Sequence, residues 1–176
     1  MLQSVLPLWQ ILRPEHFMEF ETPRLVIRPI RHKDNPQLLA LLNLPQVKAY
    51  NDYGDNLTEV DLKCMIQMDI ERQYEGRGGR FCLVCKSTKA VIGCIGFYHE
   101  DGDIEGLHIG YELLPDYWGK GVMFEALRCL FANKSQIEFE LNVVLAHVSA
   151  DNHRSLNLLK RLGFSAVGNN LYKIEL

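Results

Sequence analysis

A glycine-containing turn is the part of the sequence with the clearest capacity for chemistry. Gly119 and Gly121 flank Lys120, directly after an apolar strand and directly before a helix predicted to begin near Val122. Glycine adopts tight-turn conformations and allows a ligand to approach closely, and the first turn of a helix presents unpaired N–H groups at a positive dipole end. The turn therefore predicts an anion site suited to a diphosphate, although two glycines alone are also typical of an ordinary strand-to-helix connection.

Two other groups of reactive residue types have simpler interpretations. Cys82 and Cys85 form a lone C-x2-C pair with no second pair or histidines at ligand spacing, and an i, i+3 pair on a strand points to opposite faces. We interpret them as buried thiols and expect no metal site.

The four acidic residues within 100–105 could attract a cationic substrate, but solvated hairpin charges are the commoner explanation.

Composition limits the class of protein. The 176 residues are 47% hydrophobic and 23% charged, as expected for one globular domain with a single core. A net charge of -3 gives no general basic field, so we expect no nucleic-acid partner. No apolar run reaches the roughly 20 residues of a membrane span, so we expect no membrane insertion. Five scattered cysteines, an odd number, suggest reduced thiols and a cytoplasmic location.

The chain reads as a single domain over residues 21–176, preceded by an N-terminal extension over residues 1–20. The extension is rich in apolar residues but has no basic region and no small-residue cleavage site, so a signal peptide is not expected. Neither a linker nor a fixed-period repeat divides the rest of the chain.

A mixed α/β order of elements is predicted to position the glycine turn. After a first strand come two helices, one capped by Asp34 and one begun by a capping-box-like pair, Thr58 and Asp61. Three apolar runs then predict an antiparallel meander, followed by helix, strand, helix and a strand pair. The predicted strands are residues 24–30, 81–85, 91–98, 107–114, 141–148, 164–167 and 171–174. Of the last two helices, one is predicted to follow Gly121 and the other to cover residues 155–162.

Several short motifs occur along this order of elements. They are Thr22-Pro23-Arg24-Leu25-Val26-Ile27-Arg28-Pro29, Ile92-Gly93 with Gly96, Ile109-Gly110-Tyr111, Tyr117-Trp118-Gly119-Lys120-Gly121, Glu125-Ala126, Asn152 with Ser155, and Leu162-Gly163-Phe164. In these motifs the sequence resembles the GNAT N-acetyltransferases, and within them the RimJ/RimL-like branch. The resemblance spans about residues 20–168, and the motifs are specific in combination although each is weak alone.

The resemblance implies a fold and a cosubstrate. The fold is a mixed, mostly antiparallel twisted sheet, splayed between its fourth and fifth strands and flanked by about four helices, with acetyl-CoA in the gap. The pyrophosphate would rest on the turn amides, the pantetheine arm would pair with the strand backbone, and the Asn152 amide would contact the cofactor, cap its helix, or do both. The cofactor-binding residues implied are Leu113, Leu114, Trp118, Gly119, Lys120, Gly121, Val122, Met123 and Asn152.

The resemblance also implies catalytic roles. The Leu113 N–H is the candidate for stabilising the oxyanion. Ser155 matches the position thought to protonate the departing thiolate, and Leu159 stands where many other family members carry a tyrosine for that task. The alternative for Ser155 is an ordinary serine in a first helical turn.

The base that accepts the proton of the amine is less clearly marked. Glu112 and Glu105 are the nearest carboxylates, while His108 and Val167 replace glutamates that are frequent in close relatives. Strand alternation places His108 and Glu112 on one face, so either residue, both together or a bound water remains open as the base, with Glu112 preferred.

The function implied is an acetyl-CoA-dependent N-acetyltransferase that works by direct attack of a primary amine, without a covalent enzyme intermediate. The acceptor expected is the α-amine of a ribosomal or other protein, whose reference pKa of about 7.7–8.0 lies below the 10.4 of lysine, so it loses its proton more readily. A small amine (polyamine, amino sugar or amino acid) and a non-catalytic CoA-binding module are the alternatives. Monomer and homodimer both remain open.

Overall fold

A single sheet organises the protein. The structure, a computed structural model, describes residues 18–51, 53–100 and 105–176. Within these residues the strands are β1 Phe20–Glu21, β2 Leu25–Pro29, β3 Gly79–Cys85, β4 Val91–Tyr98, β5 Leu107–Leu113, β6 Val143–His147, β7 Ser165–Gly168 and β8 Leu171–Glu175. They form one sheet in the order β1-β2-β3-β4-β5-β6-β8-β7. The β3–β4–β5 meander is antiparallel, as predicted.

Helices cover both faces of this sheet. They are α1 Asn35–Leu42, α2 Pro45–Lys48, α3 Glu59–Tyr74, α4 Val122–Ala132 and α5 His153–Leu162. The first three pack in an apolar cluster on one face, and α4 and α5 pack in a larger cluster on the other. Sequence reasoning predicted two helices after the first strand and missed α2, a single turn that begins at a proline. No helix of the described residues is both long and apolar enough to cross a membrane.

The sheet opens between β5 and β6. This is its parallel pair, and it joins only Leu107 to Val144 and His108 to Leu145. The strands then separate, so the rest of β5 has no neighbour on that side. The structure confirms the predicted gap between the fourth and fifth strands, which are β5 and β6 once the two-residue β1 is counted. The strand predicted over residues 141–148 is shorter, Val143–His147.

Local capping signals give a mixed result. Thr58 and Asp61 form the predicted capping box at the start of α3. Asp34 is the N-cap residue of α1, as predicted, but its side chain makes no cap hydrogen bond. Its carboxylate instead accepts hydrogen bonds from the Arg28 guanidinium at 2.7 and 2.8 Å and from the Arg31 N–H at 2.8 Å. Burial alone would raise the pKa of Asp34, but the bonds and charge of Arg28 lower it below its ordinary value. The second arginine of the motif over residues 22–29 therefore anchors the start of the α1 region.

The predicted boundary between extension and domain shifts slightly. Phe20, the last residue of the proposed extension, lies in β1, is buried and contacts Phe81 with ring centroids 6.4 Å apart. The extension over residues 1–17 lies outside the described residues.

Candidate active site

The glycine turn has the backbone conformation that an anion site requires. Gly119 and Gly121 both have φ of 70°, a left-handed conformation that favours glycine, and Gly121 is the N-cap of α4. The Glu125 N–H donates to the Gly121 carbonyl at 3.0 Å. Because an α-helix leaves its first N–H groups without intrahelical partners, the amides of Val122 and Met123 are available to a ligand.

An arginine and a threonine from the start of the domain brace this turn. Arg24 donates from Nη1 to the Lys120 carbonyl at 2.9 Å and from Nε to the Glu125 carboxylate at 2.7 Å. The Thr22 hydroxyl donates to the other carboxylate oxygen of Glu125 at 2.5 Å. Burial alone would raise the pKa of Glu125, but these bonds lower it, so the carboxylate stays charged in the first turn of α4. Both motifs were evident in the sequence, but nothing in their spacing indicated that they contact each other.

The predicted pairing of pantetheine with Leu114 needs correction. The Leu114 N–H donates to the Ile92 carbonyl of β4 at 2.8 Å, and its carbonyl accepts the Tyr117 N–H at 2.9 Å. Both backbone groups are therefore satisfied within the protein, and the side chain does not line the cavity described below.

Leu113 and Tyr111 present their backbone groups to the gap instead. In an antiparallel pair, alternate residues direct both backbone groups toward the partner strand. Since Leu114 bonds to β4, Leu113 and Tyr111 point theirs away from β4, toward the gap. The Leu113 carbonyl accepts the Trp118 indole N–H at 2.7 Å. The Leu113 N–H therefore faces the gap, and its role as the oxyanion donor stays a prediction.

Ser155 forms a hydroxyl pair with Tyr111. The side chain is buried, its Oγ is hydrogen-bonded to the Tyr111 hydroxyl, and its N–H donates to the Asn152 side-chain oxygen at 3.2 Å. Burial raises the pKa of Tyr111 to about 12 despite the bond to Ser155, so the phenol keeps its proton at neutral pH. Asn152 is thus a helix cap, as one of the two interpretations predicted. The Ile-Gly-Tyr motif contained Tyr111, but its spacing gave no sign of this contact.

Glu112 points to the opposite face of β5, into a polar network beneath the cavity. Its carboxylate accepts the Tyr53 hydroxyl at 2.8 Å and the Cys94 thiol at 3.2 Å, and Arg80 Nη1 lies 3.7 Å away. Arg80 also donates to Asp69 at 2.7 Å. Burial and the charge of Glu112 raise the pKa of Tyr53 well above its ordinary value, so this donor stays protonated. The network fixes the orientation of the Glu112 carboxylate at the cavity wall.

Gly96 makes room for the arginine of this network. It is paired with Gly110 across β4 and β5. A Cβ at Gly96 would lie 3.3 Å from the Arg80 guanidinium, tighter than most real contacts, so glycine lets Arg80 cross the strand. A Cβ at Gly110 would make only an ordinary contact with the Tyr98 ring, at 3.8 Å.

His108, the last residue of β5 that pairs with β6, belongs to a second group of titratable residues. It is only 2% exposed, and its ring stacks on His147 with centroids 5.4 Å apart. The Glu100 carboxylate lies 3.5 Å from His108 Nδ1 and 3.8 Å from His147 Nε2. One ligand atom from each residue falls within 4.8 Å of the others, so the group has the donors to hold a cation or to share protons. No spacing in the sequence predicted this group. Of the acidic residues within 100–105, those at positions 101–104 lie outside the described residues.

The cysteine interpretation agrees with the structure. Cys82 and Cys85 are both buried and lie in the clusters on opposite faces of the sheet. All five cysteines, which fall among the described residues, are free thiols.

One cavity connects most of these groups. Its volume is about 960 Å³, and its wall includes Glu112 from one face of β5 and Ser155 from the other. Of the predicted site residues it also contains Leu113, Trp118, Gly119, Gly121, Val122, Met123 and Asn152. Lys120 and His108 are not in the wall, and the Lys120 carbonyl is held by Arg24.

A comparison with known protein families shows which family has this fold. The family model described as the acetyltransferase (GNAT) domain matches residues 24–165. The chain belongs to the GNAT family. This confirms the resemblance drawn from the motifs, and it makes the protein an acetyl-CoA-dependent N-acetyltransferase.

Relatives and solved structures of the GNAT family agree. The chain is 32% identical over 147 residues to the uncharacterized N-acetyltransferase p20 of Bacillus licheniformis, covering 84% of this chain and 82% of the relative. It is 30% identical over 152 residues to the [ribosomal protein uS5]-alanine N-acetyltransferase of Escherichia coli (strain K12), covering 84% and 78%. A RimL ribosomal L7/L12 α-N-protein acetyltransferase in complex with coenzyme A superposes with a TM-score of 0.79 at 17% identity, covering 90% of this chain and 98% of that one.

The geometry fits acetyl-CoA as the acetyl donor of this GNAT enzyme. The free amides at the start of α4 suit a pyrophosphate, and the backbone edge at Tyr111 and Leu113 suits the amide groups of a pantetheine arm. The cavity volume lies within the usual range for ligand sites, about 300–1,000 Å³.

Proposed function

We propose that this GNAT enzyme acetylates the α-amine of a protein N-terminus by direct attack. The observation that carries the proposal is the position of Ser155 and Glu112 in one cavity, on opposite faces of the strand that borders the gap. An amine entering on the Glu112 side and a thiolate leaving on the Ser155 side would then meet different groups. The 30% identity to a ribosomal-protein alanine N-acetyltransferase supports a protein acceptor.

Residues on the α5 side serve the leaving group. Acetyl-CoA supplies an acetyl thioester that is activated toward amines. The Leu113 N–H faces the gap and donates to the oxyanion that develops on the carbonyl. Ser155 gives its proton to the CoA thiolate, and Tyr111, which remains protonated, orients the serine hydroxyl.

Residues on the α1–α3 side serve the acceptor. Glu112 lines the cavity and accepts the amine proton, directly or through a water; His108, which is outside the cavity wall, is the second candidate. Near pH 7.5 about a third of an α-amine with a reference pKa of about 7.7–8.0 is already neutral, whereas a lysine amine is almost fully charged. A carboxylate that accepts two hydrogen bonds and lies 3.7 Å from an arginine therefore suits an α-amine better than a lysine.

The rim of the cavity is suited to a peptide. Tyr50 and Met68 line it and are 45% and 50% exposed. Such large apolar groups can contact the side chains that follow the acceptor residue, a contact that a polyamine or amino sugar would not use. The five free thiols suit a reducing, cytoplasmic setting for such an acceptor.

Thiol release from acetyl-CoA with a panel of amines tests the proposal. We expect release with peptides that begin with alanine or serine, and none with the same peptides blocked at the N-terminus but carrying an internal lysine. Spermidine, an aminoglycoside and free alanine test the small-amine alternative.

Each other outcome contradicts the proposal in a distinct way. Release with a small amine alone would reassign the acceptor and leave the acetyltransferase intact. Acetyl-CoA binding without release on any amine would favour the CoA-binding module.

A further inference from the structure

Arginines without carboxylate partners lie over two aromatic rings of the cavity wall. In the described part of the chain all three cation–π contacts involve these rings: Arg154 over Trp118 at 4.2 Å, and Arg161 and Arg128 over Phe124 at 4.3 and 5.8 Å. Arg154 and Arg161 line the cavity, and Arg128 does not. About two or three such contacts are expected in a protein of this length. Their number is therefore ordinary, but it is unusual that all of them lie over rings that line one cavity.

The surroundings leave these charges available. None of the three arginines has a carboxylate within 4.0 Å among the residues that the structure describes, although the whole chain carries a net charge of -3. An aromatic face holds a guanidinium in place without neutralising it. The arginines are thus oriented, partly desolvated on one side and still charged.

The position of Phe124 relates this group to the glycine turn. Phe124 follows Met123 directly, in the first turn of α4, and both line the cavity. Arg161 lies on α5, two turns after Arg154, and it also lines the cavity. A ligand whose diphosphate rests on the turn amides therefore has Phe124 and Arg161 in the wall of the same cavity.

We propose that Arg161, supported by Arg128 on the same Phe124 ring, binds the 3′-phosphate of CoA. The proposal rests on the proposed placement of the pyrophosphate on the glycine turn. A 3′-phosphate carries up to two negative charges, and the planar guanidinium is the side chain best suited to bind phosphate oxygens in pairs. The enzyme would thereby prefer acetyl-CoA to its 3′-dephospho analogue, although the 3′-phosphate takes no part in acetyl transfer.

The test compares the two acetyl donors on two variants of α5. Calorimetric Kd values are measured for acetyl-CoA and for acetyl-3′-dephospho-CoA with the wild type and with Arg161→Gln. We expect the wild type to bind acetyl-CoA about tenfold more tightly, equivalent to about 1.4 kcal/mol, and Arg161→Gln to lose most of this preference. The variant should bind the dephospho analogue as the wild type does. Arg128→Gln should lose a smaller part, because its guanidinium is farther from the ring.

Lys160→Gln is the matched control. It removes the same charge from the adjacent position of α5, where the exposed lysine does not line the cavity, so the preference should stay unchanged. The preference of the wild type should also weaken as salt rises, because the contact is near the surface.

The outcomes separate this proposal from the proposed function. Equal affinity of the wild type for both donors overturns the 3′-phosphate site and leaves the acetyltransferase proposal untouched. A preference that Lys160→Gln lowers as much as Arg161→Gln overturns the specific site in favour of general surface charge. If Gly121→Val left both affinities unchanged, the placement of the pyrophosphate itself would be wrong.

Discussion

Valine at Gly121 tests the anion site of the enzyme most directly. Gly121 has φ of 70°, and a Cβ built there meets only Arg24 Nη2, at 3.9 Å. The Cβ atom itself therefore overlaps with nothing in the protein, and the cost worked out here comes from the backbone conformation. A left-handed conformation costs a non-glycine residue roughly 1–2 kcal/mol, and a β-branched residue is still less suited to it. We expect Gly121→Val to lose at least about 1–2 kcal/mol of stability, a fall in Tm of about 2–8 °C.

The effect on acetyl-CoA binding should exceed what strain alone explains. If the turn rotates to relieve the strain, the amides of Val122 and Met123 turn away from the pyrophosphate. A hydrogen bond to a charged group contributes about 1.5–3 kcal/mol, so losing one raises Kd by about 10- to 150-fold. Titration calorimetry with acetyl-CoA measures this change, and thermal unfolding of the same samples measures the strain.

Gly54→Val is the matched control for strain. Gly54 has φ of 74° with nothing within 4 Å of its Cβ position, and it lies outside the cavity wall. The control should lose similar stability and keep the Kd of the wild type. A folded Gly121→Val protein with unchanged affinity would refute the assignment, as would a Gly54→Val protein that binds equally poorly.

Three further substitutions test the residues around the gap. Ser155→Ala should lower kcat by about 10²–10⁴-fold near pH 6.5 while acetyl-CoA binding stays nearly intact, and the defect should shrink toward pH 9.5, because a thiol with a pKa near 8.5 leaves unaided there. A wild-type to variant kcat ratio near one across this range would assign proton delivery to water. Glu112→Gln should lower kcat/KM most below the α-amine pKa of about 7.7–8.0 and less above it; a pH-independent defect would indicate a structural role. Arg24→Gln should raise the KM for acetyl-CoA several-fold with little change in kcat, because it removes the hydrogen bonds of Arg24 to the Lys120 carbonyl and Glu125. Arg24→Lys should recover part of the loss. A fall in kcat alone would contradict the role of Arg24 in holding the glycine turn.

Local signals in the sequence were sufficient for most of the fold. The capping box at Thr58 needs only residues three positions apart, and the meander needs only apolar runs separated by short turns. Each element that was missed or shortened is marginal by itself. The two residues of β1 and the single turn of α2 are too short to show a period, and they form because β2 and α1 already provide surfaces to pack against.

The site was harder to predict, because its contacts join distant parts of the chain. Thr22 reaches Glu125 across 103 positions, and Tyr111 reaches Ser155 across 44. No spacing rule encodes such pairs, since they depend on how β2, α4 and α5 pack. Asp34 shows how such a contact changes a local prediction. The local pattern favoured a helix cap, but the carboxylate accepts a bidentate pair of hydrogen bonds from the buried Arg28 instead of bonding to the first turn of α1.

The alternation of β5 explains how one strand can serve both halves of the proposed reaction. Tyr111 and Leu113 direct their side chains to the α4–α5 face, where Ser155 lies, while Glu112 directs its carboxylate to the face of Tyr53. A slip of one residue in the pairing with β4 would exchange these two sets and abolish both at once. The register holds from Gly93 opposite Leu113 to Tyr98 opposite His108 without a bulge. Since β6 leaves β5 after only two pairs, the pairing with β4 alone sets the position of residues 111–113. A bulge introduced into β4 should therefore be more damaging to the proposed reaction than one in β6.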